Sequence, residues 1–394
     1  MNRNIKILQF IMVLQVLLVM CNACDASNKI TVGAMQPKQY LHQLEGKKVA
    51  LMVNHTSMVD TLHLVDFLLL EGVDIVKIFA VEHGFRGNVA YGEYLNDEID
   101  PLTGIPVVSL YGEKKKASPA DMADVDVAVF DMQDVGCRFY TYISSMHYLM
   151  EACAENNVPL LVLDRPNPNG DYIDGPVLQP EFRSFVGIHP IPVVHGCTVG
   201  ELAQMINGEG WLAGNLKCNL SIVPVKNYSH TTKYELPVKP SPNLPNYLSV
   251  RLYPSLCFFE ACNVSIGRGT NFPFQVIGYP GCPLNEIAFT PMVIKGVSTN
   301  PLFLNELCTG ADLRNLEQLP TFTLSFLLEF FAQFNEPDKF WKSERWMNLL
   351  AGNDLLFKQI NDGFTEQQIK DSWQTDIAKY MAIRKKYLLY TDFE

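Results

Sequence analysis

The chain has 394 residues, 48% hydrophobic and 19% charged, the make-up of a folded protein with one large domain or two. Lys and Arg number 31 against 42 Asp and Glu, a formal net charge of −11. That balance supplies no basic stripe to neutralise phosphates, so no nucleic-acid partner is expected. The one basic run, Lys114-Lys115-Lys116, is short and reads as solvated surface.

Residues 1–26 read as an export signal. Arg3 and Lys6 precede an apolar stretch over residues 7–20, interrupted only by Gln9 and Gln15 and shorter than the ~20 residues a membrane span needs. Cleavage near Cys24 or after Ala26 would release the chain into the periplasm. Ala23 ahead of Cys24 offers a second option, a lipid anchor on a new N-terminal cysteine. The eight cysteines beyond are scattered, and several sit in apolar segments. They read as small buried hydrophobes with room for one bridge, and no matched C-x-x-C pair supports structural zinc.

From residue 47 onward, apolar β-branched runs alternate with helical patterns. Strands are predicted at residues 49–53, 75–81, 106–110, 125–130 and 159–163, with a short candidate at 190–194. Helices are predicted from about residue 62 and over 142–154. Thr198 and Glu201 form a capping box opening another that runs to Gly208. Strands alternating with helices imply a parallel sheet covered on both faces, so the fold class is α/β, doubly wound. The texture changes at Pro237, Pro240, Pro242 and Pro245. The expected division is therefore a first domain over 27–236 and a smaller α+β domain over 237–394, with helices near 323–334 and 376–387.

In open parallel sheets ligands bind beyond the carboxyl ends of the strands. Those ends are polar or titratable here: Asn54-His55, Glu82-His83, Asp131-Met132-Gln133-Asp134, Asp164-Arg165-Pro166-Asn167-Pro168 and His195. A dinucleotide site would need G-x-G-x-x-G after the first strand, and neither that nor a P-loop nor a G-x-S-x-G elbow is present. His55, His83, Asp131, Asp164 and His195 carry donors a metal could use. Single histidines on separate strand ends more often hydrogen-bond or touch substrate, so no metal and no cofactor are expected. Carboxylates at strand ends suit acid–base work, because apolar walls favour the protonated form. Glu82, between the apolar run 79–81 and Phe85, is the first choice, with His83 or Asp131 to retune it; the bland reading pairs Glu82 with Arg86 or caps a helix.

These residues carry a resemblance. The stretches EHGFRG at 82–87, SLYG at 109–112, FDMQDVGCRFYTY at 130–142 and DRPNP at 164–168 recur together with GPVL at 175–178 and HG at 195–196. PNLP at 242–245, YP at 253–254 and GRGT at 267–270 complete the set. Together they resemble the exo-β-N-acetylmuramidase family typified by NamZ, glycoside hydrolase family 171, formerly a domain of unknown function. The resemblance implies a Rossmann-like domain, a smaller C-terminal domain, and an active site in the cleft between them. It implies release of N-acetylmuramic acid from the non-reducing end of peptidoglycan-derived β-1,4 glycans of the MurNAc-GlcNAc type. Its E-H-G glutamate falls on Glu82, as general acid, with Val81 where many relatives carry proline. Asp131 or Asp164 is the expected second carboxylate unless the substrate's acetamide serves. The lactyl carboxylate of muramic acid calls for an arginine fork, from Arg138 or Arg268 before Arg86 or Arg165. Tyr140 is expected to stack on sugar, and His55, Gln133, Asn167, His195 and Asn271 complete the expected contacts. The competing reading is an exported sugar-binding protein without turnover. No oligomeric state is assigned.

Overall fold

The computed structural model describes residues 29–82, 84–86, 97–319 and 321–394. The export signal with Cys21 and Cys24, and the candidate His83, lie outside the described residues. Twelve strands are described: β1 (Lys48–Val53), β2 (Met58–Val59), β3 (Leu62–His63), β4 (Asp74–Ala80), β5 (Glu98–Ile99), β6 (Pro106–Ser109), β7 (Val127–Asp131), β8 (Leu160–Leu163), β9 (Leu220–Val223), β10 (Val276–Tyr279), β11 (Ile287–Phe289) and β12 (Cys308–Asp312).

Seven of these build the central sheet in the order β5-β6-β4-β1-β7-β8-β9. All neighbours run parallel except β5, which lies antiparallel at the edge. The chain starts in the middle, winds outward through β4 and β6, then returns to wind the other way from β7. This is the doubly wound, Rossmann-like order, with its switch point between β1 and β7. Alternate residues of one strand enter opposite layers. Ala50 and Met52 join the core under the Tyr142–Glu155 and Val199–Gly208 helices, while Val49, Leu51 and Val53 join the core under the Pro37–Leu44 and Leu64–Leu70 helices. Burial on both faces is why β1, β7 and β8 read as unbroken apolar runs.

Residues 190–194 do not form a sheet strand. Val194 makes only isolated bridges to Cys137 and Asp174, since Pro190 and Pro192 have no N–H to give a ladder. The last parallel strand is β9, which the sequence reading did not nominate. Its half-exposed LSIV pattern lacks the continuous apolar signature of its neighbours. The Thr198 capping box is present, with both reciprocal bonds made.

A smaller antiparallel sheet, β10-β12-β11, and five helices from Ser325 to Arg384 form the second unit. It is not a separate body. One of the two main cores runs unbroken from Phe130 and Met146 to Phe258, Phe274, Phe330 and Phe340. All eight described cysteines are buried thiols without a disulfide. No helix among the described residues is long and apolar enough to cross a membrane.

Candidate active site

A cavity of about 400 Å³ lies between the two units. Glu82 enters it two residues past β4, Tyr111 two residues past β6, Tyr140 from the loop after β7, and Tyr142 from the start of the Tyr142–Glu155 helix. Ser241 and Asn243 of the proline-rich linker form one side, and Tyr253, Glu260, Arg268, Phe274 and Trp346 close it from the C-terminal unit. The Tyr111 hydroxyl donates to Glu82 Oε1 at 2.9 Å. Tyr253 packs edge-on against Phe139, Tyr140 and Phe274, giving a continuous aromatic wall. Arg268 donates to Glu260 at 2.6 Å and lies over the Phe274 ring. Glu260 is thus the second carboxylate on this wall among the described residues.

Beyond Glu260, Arg268 and Trp346 a further cavity of about 490 Å³ opens within the C-terminal unit. A third, of about 520 Å³, lies beside Lys29, Met58, Arg165 and Tyr234. Both are larger than the Glu82 cavity, but neither includes a carboxylate from the ends of the parallel strands.

Most other strand-end residues serve the fold's own contacts. At the switch point, Arg165 grips Asp131 with two donors, at 2.5 and 2.8 Å, and both residues are buried. Thr56 donates to Asn54 Oδ1 and accepts from the Gln133 N–H, while Ser57 donates to the Asp131 carbonyl. Gln133 donates its amide to the Asp134 and Pro166 carbonyls. At the switch point these strand-end side chains are therefore bonded to one another and to nearby carbonyls, beside the third cavity.

Asp164 sits at the amino end of the Val199–Gly208 helix. It accepts from the Gly200 N–H at 2.8 Å, from Thr198 at 2.7 Å and from the Tyr390 hydroxyl at 2.5 Å. Gly200 permits this approach, since a Cβ there would lie 2.7 Å from the carboxyl carbon. Burial still outweighs these donors and raises Asp164 to about 6. Asn167 donates to the Cys197 carbonyl. His195 is buried, accepts from the Cys197 N–H, and is pushed down to about 3 by burial and then by Arg384 and Arg138, so it stays neutral. Its carbonyl takes the Tyr380 hydroxyl, tying this loop to the C-terminal helix Gln374–Arg384.

Arg138 is fully buried and pairs with no carboxylate among the described residues. It donates to four carbonyls, those of Pro176, Ile191, Leu350 and Ala351, the last two ending the Glu344–Ala351 helix. A helix carboxyl end carries partial negative charge, which suits a buried cation, although burial lowers Arg138 to about 10. Arg86 pairs with Asp100 and Asp66, His55 meets the Lys239 carbonyl at 2.8 Å, and Asn271 is exposed. Of the residues nominated from sequence, Glu82, Tyr140 and Arg268 come together on the cavity. Tyr111, Asn243, Glu260 and Trp346 were not nominated. The first two stood in the quoted SLYG and PNLP motifs, whereas Glu260 and Trp346 carried no local signal.

Among the described residues no group of three His, Cys, Asp or Glu side chains could hold a metal. Models of the exo-β-N-acetylmuramidase NamZ, N-terminal and C-terminal, match residues 49–248 and 251–390. The chain belongs to the NamZ family. It is 37% identical over 372 residues to the peptidoglycan β-N-acetylmuramidase NamZ of Bacillus subtilis (strain 168), covering 89% of each chain. Two solved DUF1343 family proteins, both from Bacteroides fragilis NCTC 9343, share the fold. One is 45% identical with a TM-score of 0.85, over 92% of this chain and 99% of its own. The other is 29% identical with a TM-score of 0.80, over 92% and 100%.

Proposed function

We propose that this NamZ-family member is a glycoside hydrolase that removes N-acetylmuramic acid from the non-reducing end of peptidoglycan-derived β-1,4 glycans. One observation carries the reading: Glu82, bonded to Tyr111, stands on an aromatic-walled cavity between the two units. The family membership and the activity in the name of the Bacillus relative support the substrate class.

In this mechanism Glu82 gives its proton to the leaving glycosidic oxygen as its bond to C1 breaks, and water then bonds to C1 and returns a proton to Glu82. Tyr111 donates to the Glu82 carboxylate and helps fix its rotamer toward the cavity. The Tyr140, Tyr253 and Phe274 rings pack against the sugar's apolar face. Arg268, held by Glu260, receives the lactyl carboxylate. Asp131, Asp164 and Arg138 act at a distance, by fixing the loops that carry the wall. The protein is exported, into the periplasm or onto a membrane by a lipid anchor.

The test is release of 4-nitrophenol from 4-nitrophenyl β-N-acetylmuramide, and of both sugars from MurNAc-GlcNAc. Glu82→Gln should lower kcat roughly 100- to 10,000-fold with unchanged melting. Tight sugar binding without any release by the wild-type protein would instead establish the binding-protein reading.

A further inference from the structure

Asn243 stands on the wall of the Glu82 cavity and is only 2% exposed. Its position is set by an unusual amount of scaffolding. Tyr140 and Tyr142 both donate to the Pro240 carbonyl, at 2.7 and 3.5 Å, and His55 meets the Lys239 carbonyl at 2.8 Å. A turn follows, closed by the Leu244 N–H on the Ser241 carbonyl, with the Asn243 N–H on Ser241 Oγ. The side-chain amide is oriented by its donor: Nδ2 gives a hydrogen bond to the Val297 carbonyl at 3.1 Å. Exchanging its oxygen and nitrogen would set two oxygens against each other, so one orientation is allowed. Oδ1 is then left buried with no partner among the described residues.

A buried acceptor left unpaired on a residue that lines a cavity is costly unless a ligand brings a donor to it. The surroundings select the donor. Phe139, Tyr140, Tyr253 and Phe274 line the same cavity, and the Tyr140 and Tyr142 hydroxyls are turned to the linker carbonyl. A sugar hydroxyl has lone pairs that would want donors in return. A secondary amide N–H needs only an acceptor, and an acetamide carries a methyl that suits aromatic rings.

Resting on the muramidase reading, we propose that Asn243 Oδ1 accepts the N–H of the substrate's 2-acetamido group and is the specificity residue for N-acetylated sugar. His55, Tyr140 and Tyr142 are positioning residues that hold the linker bearing it. This gives the conspicuous strand-end His55 a task that does not require it to touch substrate.

The probe is a pair of substrates, 4-nitrophenyl β-N-acetylmuramide and its isostere with a 2-O-acetyl group, in which an ester oxygen replaces the N–H. Wild-type protein should favour the acetamide in kcat/KM by roughly 10- to 100-fold, the worth of one buried hydrogen bond and the repulsion that replaces it. In Asn243→Ala the preference should fall to within about threefold of unity. Both rates come from one preparation, so their ratio is independent of the fraction folded. A wild-type ratio near one overturns the proposal without any variant, and a ratio unchanged in Asn243→Ala overturns it too. Release from neither substrate by wild-type protein overturns the muramidase reading itself, and this assignment with it.

Discussion

Two regions on the rim of the parallel sheet are built from the same kinds of residue and have opposite characters. At the switch point between β1 and β7, Asp131, Arg165, Asn54, Thr56, Ser57 and Gln133 bond to one another and to nearby carbonyls. In the cavity, Glu82 and Tyr111 stand two residues past β4 and β6 against an aromatic wall supplied by both units. A carboxylate locked to a buried guanidinium on both oxygens cannot approach a substrate without breaking the pair. Glu82, bonded to Tyr111, stands on a cavity wall where a sugar can be brought to it. The teaching of the comparison is that strand-end position nominates residues for chemistry, and the partners they find decide which of them perform it.

The comparison can be broken by separating stability from turnover. The largest effect belongs to Glu82→Gln, which should abolish most of kcat while shifting urea unfolding by less than about 1 kcal/mol, as befits a half-buried side chain at a cavity. Asp131→Ala should do the reverse. Stranding the buried Arg165 charge should cost about 3–5 kcal/mol in urea unfolding, with kcat per folded molecule within about threefold of wild type. If Asp131→Ala instead destroyed kcat in a stable protein, the switch point would be catalytic after all. Tyr111→Phe should lie between, lowering kcat/KM roughly tenfold through loss of one hydrogen bond to a carboxyl, again with melting little changed.

A pH-dependent effect concerns Asp134, three residues beyond β7. One of its oxygens accepts the Gly136 N–H, the other is buried with no partner among the described residues, and burial raises its pKa to about 7. Unfolding would return it to the ordinary carboxyl range, so between about pH 4 and pH 7 the folded state holds a proton that the unfolded state releases. Stability contributed by this group therefore falls as pH rises through that window and is lowest above about 7. Asp134→Asn should raise stability at pH 8 by roughly 1–3 kcal/mol and change it little at pH 4, measured by urea unfolding at both values. An equal change at the two pH values would refute this account of Asp134.

Much of the architecture was legible because parallel strands buried on both faces leave continuous apolar runs, as in KVALMV and VAVFD. β9 escaped since its exposed edge dilutes that signal, and the prolines near residue 190 imitated a strand. The rim of the sheet was legible for the same reason as the strands. What each rim residue would meet was not, because the deciding partners are distant in sequence. Arg138 meets carbonyls 212 and 213 residues away, and Asp164 meets a tyrosine 226 residues away. Glu260 and Trp346 reach the cavity only through packing of the second unit, so no local pattern marks them.

The most direct measurement of the central claim is a crystal structure of the Glu82→Gln variant with a MurNAc-GlcNAc disaccharide. The account predicts the glycosidic oxygen within about 3 Å of the residue-82 amide, the muramic ring against Tyr140 and Tyr253, and the Asp131–Arg165 pair intact. Sugar seated at the switch point, with that pair broken to receive it, would contradict the account.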